Sequence, residues 1–80
     1  MVKKFTDEMI VSFYKNKTVA ILGYRENGGQ QRAKLLRDNG IKVVIGLRQG
    51  DDYWVQAVRD GFDVFPVWEA CDQAEVVQVW

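Results

Sequence analysis

Residues 18–23 read Thr-Val-Ala-Ile-Leu-Gly, and this run decides the fold. A continuous apolar stretch without polar alternation marks a strand covered on both faces, which is the rule in parallel sheets. Gly23 ends the run and opens a polar, glycine-containing loop, Tyr24 to Gly29. Beyond the loop, residues 29–38 carry Ala33, Leu35 and Leu36 on one side at helical spacing. Asn39-Gly40 then supplies two residues that tolerate the left-handed conformation in which helices commonly stop. Buried strand, glycine loop and helix together form one half of a βαβ unit.

The same alternation continues outward. Ile41 to Ile45 reads as a second strand closed by Gly46. Asp51 is placed to cap a helix over residues 52–60, with Trp54, Ala57 and Val58 on one face and Gly61 at its end. Phe62 to Phe65 forms a third strand, and Pro66 suits the first turn of a helix over Val67 to Gln73. Glu75 to Trp80 (EVVQVW) is the fourth strand. Upstream, residues 6–15 read as a short amphipathic helix: Thr6 is the expected N-cap, Asp7 and Glu8 suit the positive end of the dipole, and Met9, Ile10, Phe13 and Tyr14 recur at helical spacing and would pack on the sheet.

Strands alternating with helices of about ten residues predict a parallel sheet with right-handed crossovers. The expected fold class is α/β: a three-layer, Rossmann-like half with a four-stranded parallel sheet in the order 3-2-1-4 and helices on both faces. The 80 residues make one domain, an N-terminal helix (1–16) followed by a βαβαβαβ unit (17–80).

Composition narrows the function. Hydrophobic residues make up 48% of the chain and come in regular bursts, which excludes disorder. Eleven basic and eleven acidic residues cancel, leaving no electrostatic footprint for nucleic acid or an anionic membrane. A single cysteine, Cys71, and no histidine argue against a disulfide framework and against a cysteine or histidine metal cluster. Met9 to Tyr14 is too short an apolar stretch for a signal core or a membrane span, so a cytoplasmic protein is expected.

The chemistry resides in Gly23-Tyr24-Arg25-Glu26-Asn27-Gly28-Gly29. Between a buried strand and a helix, backbone N–H groups and the helix dipole can hold a phosphate. The dinucleotide fingerprint GxGxxG needs its second glycine where the backbone approaches a pyrophosphate, and that position is Arg25. The interval to the next glycine is also one residue longer. A P-loop fits no better, since Gly29-Gln30 stands where Lys-Ser/Thr is required. A receiver-type phosphate switch fails because no strand end carries the necessary acidic cluster.

From Lys17 to Trp80 the chain resembles the N-terminal domain of ketol-acid reductoisomerase. The likeness is carried by residues 17–24 (KTVAILGY), 36–41 (LRDNGI) and 43–50 (VVIGLRQG), then by Trp54, Asp60-Gly61-Phe62, Glu69-Ala70 and Ala74-Glu75-Val76-Val77. The Gly-Leu-Arg-x-Gly run after the second strand is its most family-specific piece. The resemblance implies a domain that binds NADPH or NADH. The loop after strand one would hold the pyrophosphate through Gly23, Tyr24, Arg25, Asn27, Gly28 and Gly29. The loop after strand two would read the adenosine ribose through Arg48, Asp51 and Tyr53.

Asp51 and Tyr53 stand where that family often has serines that bind a 2′-phosphate. A carboxylate there repels the phosphate and accepts hydrogen bonds from a free ribose hydroxyl, which favours NADH. The family's own loop is Gly-Tyr-Gly-Ser-Gln-Gly, so Arg25 and Glu26 depart from it. The family's magnesium-binding carboxylates belong to a helical C-terminal domain. The 80 residues are therefore expected to bind no metal and to have no catalytic activity alone.

Bland readings stand beside these. Asp51 is a helix cap before it is a ribose ligand. Arg48 in an exposed loop is equally an ordinary solvated charge, and Trp54 is a core anchor. The second functional class is a non-catalytic Rossmann scaffold, remodelled or engineered, that has lost its cofactor. The apolar strand Glu75–Trp80 would then be an edge inviting self-association, or the docking edge of a C-terminal domain.

Overall fold

The computed structural model describes residues 14–26 and 28–80. The helix expected over residues 6–15 lies outside them except for its last two positions. Among the described residues there are four strands: β1 (Thr18–Leu22), β2 (Lys42–Leu47), β3 (Asp63–Pro66) and β4 (Val76–Val79). Three helices connect them: α1 (Gly29–Asp38), α2 (Trp54–Arg59) and α3 (Val67–Gln73).

The sheet is parallel in the order β3-β2-β1-β4. Thr18 faces Lys42 and Leu22 faces Gly46 across β1 and β2, while Leu22 faces Val79 across β1 and β4. The expected three-layer α/β half is therefore the observed one.

Strand alternation sorts the core into two faces. Val19, Ile21, Val43, Ile45 and Leu47 point towards α1 and α2 and pack with Ala33, Leu36, Ala57 and Phe62. Ala20 and Val44 point the other way and meet Ala70 of α3. The second face is built from small side chains, which lets α3 lie close to the sheet. Gly46 belongs to this contact: a Cβ there would stand 2.5 Å from Leu22 Cδ2 and 3.0 Å from Ala70 Cβ. Gly46 was expected to close strand two, yet β2 runs through it to Leu47. Paired on both sides, with Leu22 and with Phe65, it works inside the strand as the small residue at a crowded crossing.

Both helices of the first face end in the same way. Gly40 (φ +83°) donates to the Arg37 carbonyl and Ile41 to that of Leu36. Gly61 (φ +93°) donates to Val58 and Phe62 to Ala57. These are paired Schellman closures, each with an apolar residue just past the glycine folded back on the helix. They explain why Asn39-Gly40 and Gly61 were legible as stops.

The second helix is shorter than expected, Trp54–Arg59 against 52–60, because residues 51–53 form a turn ahead of it. Val58 does not share the buried face of Ala57: it is 53% exposed, while Trp54 and Ala57 reach the core. The outer strand β4 leaves Val77 and Val79 exposed.

Candidate functional site

In an open α/β sheet a crevice forms at the carboxyl ends of the strands where the strand order reverses. In the order β3-β2-β1-β4 that point lies between β1 and β4. The loop Gly23–Gly29 leaves β1 there, Arg48 to Tyr53 leaves β2 beside it, and Trp80 follows β4 on the other side. The topology thus gathers the loops that carry the expected site residues at one end of the sheet.

The glycine loop is tightly wound. The Arg25 carbonyl accepts from Gly28 N–H at 3.4 Å and from Gln30 N–H at 3.1 Å, so it caps the first turn of α1 from within. A Cβ at Gly29 would stand 2.0 Å from the Gly23 carbonyl oxygen, a contact no side chain can relieve. Gln30 is buried and donates from Nε2 to the Tyr24 carbonyl at 3.1 Å, while its Oε1 accepts from Gln56 at 3.4 Å. The loop's backbone is therefore fixed by its own polar groups. Asn27 lies outside the described residues.

Tyr24 points away from the loop's surface. Its ring is fully buried, edge-on to Phe62 at 5.6 Å between centroids, and its hydroxyl donates to Asp60 Oδ2 at 2.5 Å. Burial above all, and the Asp60 carboxylate next, push the phenol well above its ordinary value. Of the expected cofactor contacts, this one can offer a ligand only its main chain, because an aromatic side chain beside β1 gains more by completing the core.

Arg25 and Tyr53 connect the two loops. The Arg25 guanidinium lies 5.9 Å from the Tyr53 ring centroid, at an exposed edge between the ends of β1 and β2. Asp51 was expected to cap the helix, but the N-cap of α2 is Tyr53, without a side-chain cap; Asp51 instead closes the turn before it, its Oδ1 accepting from Tyr53 N–H at 2.8 Å and its carbonyl from Trp54 N–H at 3.1 Å. That arrangement leaves Oδ2 for solvent or a ligand, so closing the turn and binding a ribose are compatible. Arg48 is exposed, and its carbonyl accepts from Asp51 N–H at 3.0 Å. Next to this turn a groove is lined by Asp51, Asp52 and Glu69 along with Trp54 and Pro66. Its charge is acidic.

Two residues at this end were not singled out as site residues from the sequence. Trp80 N–H donates to the Leu22 carbonyl at 2.8 Å, continuing the β1–β4 ladder. Its indole lies on Gly28, where a Cβ would stand 2.5 Å from ring atom Cε3. Arg32, in the second turn of α1, places its guanidinium 5.7 Å from the centroid of the same ring. The signal for Trp80 was the sheet order: with Leu22 opposite Val79, the next residues on both strands, Gly23 and Trp80, must adjoin.

Among the described residues no group of three or more Cys, Asp or Glu is gathered as a metal site, and no helix is long and apolar enough to cross a membrane.

Residues 13–80 match the family model for the NADPH-binding domain of acetohydroxy acid isomeroreductase. The chain is 45% identical over 80 residues to the ketol-acid reductoisomerase (NADP(+)) of Pyrobaculum islandicum, spanning 99% of this chain and 24% of that protein. It is 40% identical over 75 residues to the corresponding protein of Pyrococcus abyssi, 94% of this chain and 22% of the relative. An NADH-preferring ketol-acid reductoisomerase from an uncultured archaeon superposes with a TM-score of 0.78 at 36% identity, covering 86% of this chain and 22% of the other. The chain thus spans about a quarter or less of the length of these relatives. The breadth of the family match and the shared fold make the chain a member of the acetohydroxy acid isomeroreductase (ketol-acid reductoisomerase) family, corresponding to its NADPH-binding domain.

Proposed function

We propose that the domain binds a nicotinamide dinucleotide across the carboxyl ends of β1 and β2, and that it favours NADH over NADPH. The observation that carries this reading is the placement of Asp51, fixed by the hydrogen bond from Tyr53 N–H at the end of β2, with one carboxylate oxygen uncommitted. A carboxylate at that point accepts from the two hydroxyls of an unmodified ribose and repels a 2′-phosphate. Asp52 and Glu69, on the adjoining groove, add charge of the same sign. The named preference of the solved archaeal relative is in line with this, whereas the curated relatives are named for NADP(+).

The residues present fit the group. The N-terminus of a ten-residue helix lies at the switch point, and Arg25 and Arg32 flank it with positive charge. Arg25, where the fingerprint has glycine, contributes a guanidinium to the diphosphate in place of close backbone approach. Tyr53 holds that guanidinium on the β2 side, where the adenosine end would lie. A bound dinucleotide supplies or takes up hydride. This chain's own share is to bind and orient it, and conversion of a substrate would require further protein, as in the longer relatives.

A calorimetric or NMR titration with NADH, NADPH and ADP tests the reading. Saturable binding is expected, tighter for NADH, with shifts at residues 23–30 and 48–53. Equal or tighter NADPH binding defeats the preference, and silence at millimolar ligand defeats the binding.

The second reading, a scaffold without cofactor, draws on the Arg25 carbonyl, which already engages the Gly28 and Gln30 amides that a phosphate would need. The same titration decides between them. Self-association through β4, where Val79 is 78% exposed, belongs to this scaffold reading, and a clean monomer in equilibrium sedimentation at high concentration removes it.

A further inference from the structure

The amino-terminal ends of β1 and β2 lie opposite the loops of the proposed dinucleotide site and hold a cleft of about 600 Å³. Its wall contains three lysines, Lys15, Lys17 and Lys42, and no carboxylate. Two tight turns build it. In the first, Lys17 N–H donates to the Tyr14 carbonyl at 3.0 Å, with Asn16 left-handed at φ +67°. That turn delivers Lys15 and Lys17 to the mouth of β1, and the parallel register sets Lys42 beside Thr18, the next residue. The second is the Schellman closure of α1, where a Cβ on Gly40 would meet nothing within 4 Å.

The positive charge of the cleft is not balanced by its surroundings. Among the described residues the ion pairs are Lys34–Asp60 and Arg37–Asp38, and neither Lys15 nor Lys42 enters one. Asp38, Asp63 and Glu75 belong to the same end of the fold, but none lines the cleft, and Asp38 is engaged by Arg37. The carboxyl end of α1 also ends here. Its Leu35 carbonyl accepts from Asn39 Nδ2, that of Leu36 from Asn39 and Ile41 N–H, and that of Arg37 from Gly40 N–H. A helix pole of about half a charge, with its carbonyls already engaged, does not offset three ammonium groups. Like charges around one cleft repel each other, so an anion shared between them is stabilising.

Lysine also selects the kind of anion. The planar fork of arginine matches a carboxylate, whereas an ammonium is a point charge with three donors and suits phosphate oxygens. One exposed charge pair returns little in water, so a single phosphate gains too little to be held. An oligophosphate carries several negative charges on a short chain and meets the three lysines together. The Asn16 amide and the Thr18 hydroxyl, in the same wall, add neutral donors.

We propose that this cleft is a second anion site, which binds an oligophosphate group through Lys15, Lys17 and Lys42. It does not depend on the dinucleotide reading. The five residues of β1 separate the two places by about 16 Å of strand.

The test titrates the 80-residue chain with tripolyphosphate, ATP and inorganic phosphate at fixed ionic strength, followed in 15N spectra. Tripolyphosphate should shift the backbone signals of residues 15–18 and 39–42 and bind about tenfold or more tighter than inorganic phosphate. Lys15→Gln and Lys42→Gln each remove one charge, so each should weaken tripolyphosphate binding about fivefold, and the pair about 25-fold. Both side chains are exposed, so the fold should survive the changes. Lys42→Arg, which keeps the charge, should bind within about twofold of the parent.

ATP binding tighter than tripolyphosphate, with the same signals shifted, supports the site and names a nucleotide as the source of the phosphates. ATP binding equally or more weakly supports it with the free oligophosphate as the ligand. Silence at residues 15–18 and 39–42 in millimolar tripolyphosphate overturns the proposal, as does unchanged affinity in the double Lys→Gln variant. Shifts confined to residues 23–30 and 48–53 overturn it as well and leave the dinucleotide reading standing.

Discussion

The Tyr24 hydroxyl donates to Asp60 Oδ2 at 2.5 Å, joining the first loop residue after Gly23 to the C-cap of α2 across 36 positions of sequence. Asp60 is a hub: Lys34 Nζ lies 3.7 Å from the same carboxylate oxygen, and Arg37 Nη1 donates to its backbone carbonyl. Arg37 also lies over the Phe62 ring at 4.5 Å. The start of the glycine loop is thus anchored through the core to the far helix. A loop proposed to hold a diphosphate would benefit from one rigid end.

Removing that anchor should cost stability in a pH-dependent way. Tyr24→Phe deletes one hydrogen bond to a charged acceptor, worth about 1.5–3 kcal/mol. In a domain this small each kcal/mol lowers the melting temperature by about 4–8 °C. Burial, then Asp60, raise the Tyr24 pKa in the folded chain, so the folded state keeps a proton that the unfolded state loses near the ordinary tyrosine value. The stabilisation is complete below about pH 10 and declines as pH rises further. Melting curves between roughly pH 8 and 11 should show the parent and Tyr24→Phe converging at the alkaline end. A constant gap would mean that the hydroxyl is not held as described.

The two glycines at Gly29 and Gly40 should differ in their response to a methyl group. Gly40 has open space around it and a φ of +83°, so Gly40→Ala pays only for backbone conformation, about 1–2 kcal/mol. Gly29→Ala drives a Cβ to 2.0 Å from the Gly23 carbonyl, and the loop must move as a whole. About 3 kcal/mol or more is expected, enough to unfold much of a domain of modest stability. Urea denaturation of the two variants compares them directly. Equal effects would mean that the loop can open without cost.

Asp51→Asn separates turn from charge. The amide oxygen can still accept from Tyr53 N–H, so the melting temperature should move little. The charge that opposes a 2′-phosphate is removed. One unit charge at about 4 Å in water is worth about 1 kcal/mol, and the phosphate carries up to two. The NADH-to-NADPH affinity ratio should therefore fall about five- to thirtyfold, through tighter NADPH binding. An unchanged ratio would assign Asp51 to the turn alone.

Much of this was legible because it is local. Apolar runs and paired stop signals placed all four strands, and α1 and α3 begin and end where periodicity set them. The misreadings were tertiary. Gly46 looks like a strand terminator until Leu22 and Ala70 are seen on either side of it. Val58 sits next to Ala57, but a six-residue helix buries too narrow a face to include both. Tyr24 reads as a loop residue beside a phosphate, yet its ring finds Phe62 and Asp60, far along the chain. Trp80 was read as a strand edge. Its role against Gly28 depends on the β1–β4 register, which follows from the sheet order only when each strand's endpoint is known.

The Gly46 crossing gives the strictest check of the second core face. Gly46→Ala places a Cβ 2.5 Å from Leu22 Cδ2 and 3.0 Å from Ala70 Cβ, between β1 and α3. Overpacking of this kind costs about 1–3 kcal/mol. Leu22 can turn aside at the price of a poorer rotamer, whereas Ala70 is held by its helix. Leu22→Ala should cost about 2–5 kcal/mol if it empties a core site, with the lower end expected for a half-buried residue. The double variant should be more stable than the sum of the two by about 1 kcal/mol or more, because the new methyl group fills space the leucine has left. Strict additivity would show that the two side chains do not meet, and the close seat of α3 on the sheet would need another cause.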